Sequence, residues 1–172
     1  MKTNLASYSS VLVVDDEEDL LDIIRESLRE HFMNVLVARN GQEALNVLST
    51  RSVDIVVTDY LMPVMNGLEL IEKMKVVCPL VPVIMLTGNG TNPEVLLALK
   101  LGAFDVLDKP YRIEVLVNRI QNSLLLPQLT QLLWSLMSRE LSTPKIEDFL
   151  NKPYAQQLQM LHGFSKSFLA RS

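Results

Sequence analysis

The sequence predicts an α/β protein, a (βα)5 doubly wound parallel sheet followed by an α-helical C-terminal extension. Three observations carry that expectation. Short aliphatic runs alternate five times with amphipathic stretches up to about residue 122, the pattern of a parallel sheet covered on both faces by right-handed crossovers. The first run is apolar at consecutive positions, as in a strand buried on both faces. From Gln121 onward only helical spacing recurs. The 172 residues therefore divide into an expected domain over 9–125 and an extension over 126–172.

The expected strands are Val11–Val14, Val35–Ala38, Val53–Thr58, Pro82–Leu86 and Ala103–Leu107. Leu20, Ile24 and Leu28, widened by Leu21, give the first helix an apolar stripe. Ala44, Leu45 and Leu48 mark a second helix after the turn Asn40-Gly41, and Leu68, Leu70, Ile71 and Met74 a third after Asn66-Gly67. Asn92 suits the cap of a fourth, Pro93 its first turn and Gly102 its C′ position. Val95, Leu96, Leu97, Leu99 and Leu101 make that helix apolar nearly all round, so a covering partner is expected. A fifth helix follows Pro110, with Ile113, Leu116, Val117, Ile120 and Leu124 on one face.

Composition narrows the function classes. The net charge is −4, with the acids concentrated before residue 120 and a slight basic excess after it. Neither part has the dense positive charge of a nucleic-acid binder. Cys78 is the only cysteine, so no disulfide can form within the chain. No stretch approaches the ~20 apolar residues of a membrane span, and no signal-peptide pattern opens the chain. A cytoplasmic protein with no membrane contact is expected.

The polar residues at the strand ends point to a site. Asp15 and Asp16 end the first strand, Asp59 the third, Thr87 the fourth and Lys109 the fifth. In open α/β sheets ligands collect at this carboxyl edge. Adjacent carboxylates about 4 Å apart repel by roughly 4 kcal/mol at an effective dielectric near 20, so a cation is expected to join them. Oxygen-only ligands favour a hard ion, and Mg²⁺ fits a few carboxylates, a carbonyl, waters and a phosphate oxygen. A divalent ion, an ammonium and a hydroxyl around one carboxylate suit phosphoryl transfer, with Asp59 as nucleophile.

Four motifs at matching spacing, VLVVDDEEDL, TDYLMPVMNGLEL, MLTG and GAFDVLDKPY, make residues from about 9 to 125 resemble the receiver domain of two-component response regulators. The resemblance implies strand order 2-1-3-4-5. It implies Asp59 as the acceptor of a phosphoryl group from a histidine kinase, a phosphotransfer protein or a small phosphodonor. Asp16 and Asp59, with the backbone carbonyl of Leu61, would ligate Mg²⁺, and Asp15 would act through a metal-bound water. Lys109 would pair with the phosphoryl group, its bond to Pro110 would be cis, and Thr87 would swing toward the phosphoryl oxygens. Met62-Pro63 and Asn66-Gly67 would shape the loop after the acceptor. Val106 departs from the family, which usually has Tyr or Phe there as rotamer partner to the threonine, so an aromatic swing is not expected. Such a domain is a switch that catalyses only its own phosphorylation and dephosphorylation.

Blander readings apply elsewhere. Glu17, Glu18 and Asp19 suit the start of a helix, where negative charge favours the dipole. Cys78 is an apolar filler, and His31 and His162 have no evident partners. A haloacid-dehalogenase-type phosphatase also uses an aspartyl nucleophile, but with a D-x-D pattern at its first strand; here the adjacent acids read DDE.

Beyond Pro127, Leu129, Leu132, Leu133, Leu136 and Met137 form a stripe beside Trp134, and Tyr154, Leu158, Leu161, Phe164 and Phe168 form another. Such helices are expected to mediate homodimer or partner contacts, with the fourth and fifth helices as further dimer surface. Five scattered basic residues, Arg139, Lys145, Lys152, Lys166 and Arg171, make a DNA-binding output the lesser alternative.

Overall fold

The computed structural model describes residues 9–88 and 92–125. The expected extension over 126–172, with Trp134 and His162, lies outside them. Five parallel strands, β1 (Ser10–Val14), β2 (Asn34–Ala38), β3 (Ile55–Asp59), β4 (Val83–Thr87) and β5 (Asp105–Asp108), form one sheet in the order 2-1-3-4-5. Between them run α1 (Glu18–Arg29), α2 (Gly41–Thr50), α3 (Gly67–Val77) and α4 (Asn92–Leu101). A fifth helix, α5, covers 113–125.

The pleat sorts the core into two layers. Val11, Val13, Ile55, Val57, Ile84 and Leu86 pack with Leu21, Ile24 and Leu28 of α1 and Leu116, Val117, Ile120 and Leu124 of α5. The alternate residues Leu12, Val14, Val56, Val83 and Met85 pack with Ala44, Leu70, Ile71, Met74 and Ala98 on the other face. β3 lies at the centre of the sheet and is buried along its whole length.

The helix ends follow local chemistry. Asn40 and Asn66, expected as turn residues, are N-caps. The Asn40 side chain accepts from the Glu43 N–H at 3.0 Å. Asn66 and Glu69 form a reciprocal capping box at 3.0 and 2.9 Å. At the end of α4, Gly102 takes φ +106°, and the Ala103 and Gly102 N–H groups donate to Ala98 and Leu99 carbonyls at 2.9 and 3.1 Å. That pairing is a Schellman cap. It places Ala103 in the helix stop, so β5 begins at Asp105 instead of the expected Ala103. On α4 only Ala98 is buried, while Leu96, Leu97 and Leu99 are exposed among the described residues. No described helix is long and apolar enough to cross a membrane.

Candidate functional site

The expected site residues meet at the carboxyl edge of the sheet. Asp59 is the last residue of β3 and Thr87 the last of β4, while Asp15 follows β1 and Lys109 follows β5. Register sets their height. Asp59 lies opposite Leu86, whose carbonyl accepts the Tyr60 N–H at 2.9 Å. Thr87 lies opposite Asp108, and its carbonyl accepts the Lys109 N–H at 2.7 Å.

Lys109 reaches back over the sheet edge between two acids. Its ammonium stands 2.7 Å from Asp59 Oδ1 and 3.0 Å from Asp15 Oδ2. The second oxygen of each acid is also held. The Leu61 N–H donates to Asp59 Oδ2 at 2.8 Å, and the Glu17 N–H donates to Asp15 Oδ1 at 3.0 Å. Asp15 is almost wholly buried and Asp59 nearly so. Burial works against the lysine's charge, but the hydrogen bonds and charges of Asp59 and Asp15 outweigh it, so the Lys109 pKa is raised.

The Lys109 ammonium joins Asp15 to Asp59 and offsets part of the repulsion between them. Asp16 takes no part in that pairing and is exposed on the rim. An open cleft of about 340 Å³ lies beside the pair, lined by Asp16, Glu17, Asp59, Tyr60, Leu61, Gly88 and Lys109.

The donor chemistry fits Mg²⁺. Asp16 and Asp59 offer oxygen ligands along one cleft, and such a set favours a hard cation. Among the described residues, no three acidic, histidine or cysteine side chains converge closely enough to enclose an ion. An ion held here would complete its shell with carbonyl, water and phosphoryl oxygens, as Mg²⁺ does elsewhere.

Thr87 is fully buried. The Lys109–Pro110 bond is cis. Val106 is half-buried against the α2–α4 core layer, opposite Met85 in the ladder. Glu18 and Asp19 form the first turn of α1, and Cys78 caps α3, its thiol pushed up by burial.

Sequence reasoning missed several contributors. Glu17, read only as helix start, lends its N–H to Asp15 and lines the cleft. Tyr60 lines it too; partial burial first, then the charge and hydrogen bond of Glu94, raise its phenol pKa. Tyr111 is raised mainly by burial; Asp15 and Asp59 add to that, and Lys109 opposes it. Tyr60 directly follows Asp59 and Tyr111 stands two residues after Lys109, and that nearness was the available signal for both tyrosines. Gly67 lets β3 approach closely, since a Cβ there would overlap the Asp59 carbonyl oxygen.

Comparison with known proteins agrees with this geometry. Residues 11–121 match the response regulator receiver domain family. A putative response regulator NtrX-like of Rickettsia bellii is 39% identical over 113 residues, covering 64% of this chain and 24% of the relative. The transcriptional regulatory protein CpxR of Escherichia coli K12 is 37% identical over 113 residues, covering 66% and 48%. The chain thus spans a quarter to about half the length of these curated relatives. A receiver domain structure from Clostridium thermocellum superposes with TM-score 0.66 at 34% identity, covering 70% of this chain and 98% of that one. A CheY-like receiver from Methanospirillum hungatei gives TM-score 0.67 at 28% identity, covering 71% and 98%. With the 2-1-3-4-5 sheet, the acids at its carboxyl edge and the lysine between them, the chain belongs to the response regulator receiver domain family.

Proposed function

We propose that the domain is a Mg²⁺-dependent phosphoacceptor whose nucleophile is Asp59. The observation that carries the reading is the Lys109 ammonium bound to both Asp15 and Asp59 beside an open cleft. Asp59 is anchored through the Leu61 N–H and faces the solvent side of the sheet edge. One Asp59 oxygen attacks the phosphorus of a phosphohistidine or a small acyl phosphate. The bond to the leaving nitrogen or oxygen breaks as the acyl phosphate forms. Lys109 then pairs with a phosphoryl oxygen, and the Thr87 hydroxyl donates to another. Asp16, Asp59 and the Leu61 carbonyl would hold Mg²⁺, with Asp15 acting through a water, and the ion would supply charge neutralisation for those oxygens.

The donor is a histidine kinase or phosphotransfer protein, and the output is a change in protein contacts in the cytoplasm. The exposed leucines of α4 support a second copy of the chain as one such contact. DNA binding through residues 126–172 remains the other output, favoured by a relative named as a transcriptional regulator and disfavoured by the scattered basic residues. Radiolabelled acetyl phosphate tests the central claim. With Mg²⁺ the native chain takes label, and chelation or Asp59→Asn abolishes it. Undiminished labelling of Asp59→Asn would move the acceptor elsewhere.

A further inference from the structure

The loop after Asp59 is anchored at two glycines, and only one belongs to the expected motifs. At its far end Gly67 donates its N–H to the Tyr60 carbonyl at 3.0 Å and packs against the Asp59 carbonyl. The second anchor lies in another crossover. Gly41, the first residue of α2, donates its N–H to the Met65 carbonyl at 3.1 Å. Its missing side chain leaves the space that Met65 fills. A Cβ on Gly41 would stand 2.7 Å from Met65 Cγ, 2.8 Å from Sδ and 3.0 Å from Cβ. Turning the thioether away would relieve only the outer contacts, because the Met65 Cβ moves with the backbone.

Met65 has little room to yield. It is 4% exposed and packs in the layer that holds Ala44, Leu70 and Met74. It directly precedes Asn66, whose capping box fixes the start of α3 and hence Gly67. Its own N–H closes a three-residue turn onto Pro63 at 2.7 Å. A displacement of Met65 therefore runs both ways along the loop, toward Leu61 and toward Gly67. Those are the two points that set the Asp59 carboxylate and the Leu61 carbonyl.

We propose that Gly41 is a positioning residue for the acceptor loop, holding the Leu61 carbonyl and Asp59 in register through Met65. It touches neither ion nor phosphoryl group and acts only through the seat it gives that side chain. The inference rests on the phosphoacceptor reading above.

Gly41→Ala, Gly41→Ala/Met65→Ala and the native chain would be titrated with Mg²⁺, following backbone amide shifts by NMR. Labelling by acetyl phosphate and thermal unfolding would be recorded in parallel. Gly41→Ala should bind Mg²⁺ about tenfold more weakly and label correspondingly more slowly, the scale seen when a group supporting metal ligands is lost. The double variant should recover most of both, because shrinking Met65 removes the two shortest overlaps, to Cγ and Sδ, and leaves only the 3.0 Å approach to Cβ. Native-like Mg²⁺ affinity in a folded Gly41→Ala overturns the proposal. So does a folded double variant with no recovery. Should Gly41→Ala fail to fold, the native titration decides. The Gly41 amide must shift together with that of Leu61, and a stationary Gly41 signal overturns the proposal. A native chain that neither binds Mg²⁺ nor takes label defeats the phosphoacceptor reading instead.

Discussion

At the scale of single residues, Lys109 and Val64 each hold something the fold would otherwise resist. Lys109 is the counter-ion of two buried carboxylates, so its removal leaves both uncompensated. Breaking a fully buried pair costs about 3–5 kcal/mol. The lysine side chain is 25% exposed, which argues for a smaller loss, about 2 kcal/mol. Lys109→Met should therefore lower the urea midpoint in chelator, and millimolar Mg²⁺ should restore part of it by binding the native state. A variant as stable as the native chain without Mg²⁺ would mean that the ion pairs contribute nothing. Val64 carries a cost of a different kind. It centres the turn closed by the Met65 N–H on the Pro63 carbonyl, at φ +68° and 83% exposed. A β-branched residue rarely adopts that backbone, and the γ-turn with positive φ is strained. Val64→Gly should raise stability by about 1 kcal/mol, the strain relieved exceeding the added freedom of the unfolded chain. An unchanged or lower denaturation midpoint would show that the loop bears no such strain.

At the scale of elements, the site depends on how helices start and strands stop. The α3 capping box ties Asn66 to Glu69 immediately before Gly67 meets the end of β3. Asn66→Ala should cost about 1 kcal/mol and also slow labelling by acetyl phosphate, since the loop from Asp59 ends on that cap. Loss of stability with an unaltered labelling rate would separate the cap from the site. These elements also show what the sequence made legible. The positions of Asp15, Asp59, Thr87 and Lys109 followed from where aliphatic runs give way to polar residues, because a buried strand must end when its apolar run ends. The Asn-Gly pairs were seen but read as turns. The same residues serve as cap and first helical residue, and only the Glu three positions after each Asn distinguishes the two uses. The start of β5 was misplaced because Ala103 is apolar like a strand residue, yet its N–H closes α4. The seat of Met65 on Gly41 joins two crossovers, and no local pattern encodes such a contact.

At the scale of the whole molecule, the sheet register brings four strand ends to one edge, and that convergence shapes the response to pH. Sequence spacing could bring Lys109 to this edge but not between two particular carboxylates. That placement requires β5, β4, β3 and β1 to lie in order with their ends level. The consequence reaches beyond the site. Lys109 keeps its proton more tightly in the fold than in the unfolded chain, because Asp59 and Asp15 outweigh the effect of its burial. Cys78 and Tyr111 do so chiefly through burial of the neutral form, and Tyr60 through burial and the charge of Glu94. All four shifts have the same sign, so above about pH 9, where the unfolded thiol begins to ionise, the native state binds more protons than the unfolded one. Stability then falls as pH rises. The Lys109 contribution is fully present below its unfolded value of 10.5 and is lost as pH climbs through the higher folded value. Urea midpoints measured from pH 8 to 11 should therefore decline, gently at first and more steeply past the lysine and tyrosine range. Lys109→Met should flatten the steeper part, having lost one of the groups that produce it. Midpoints that hold or rise over that interval would show that the unfolded chain binds these protons as tightly as the fold does, and the ion pairs at the sheet edge would then contribute nothing to the alkaline response.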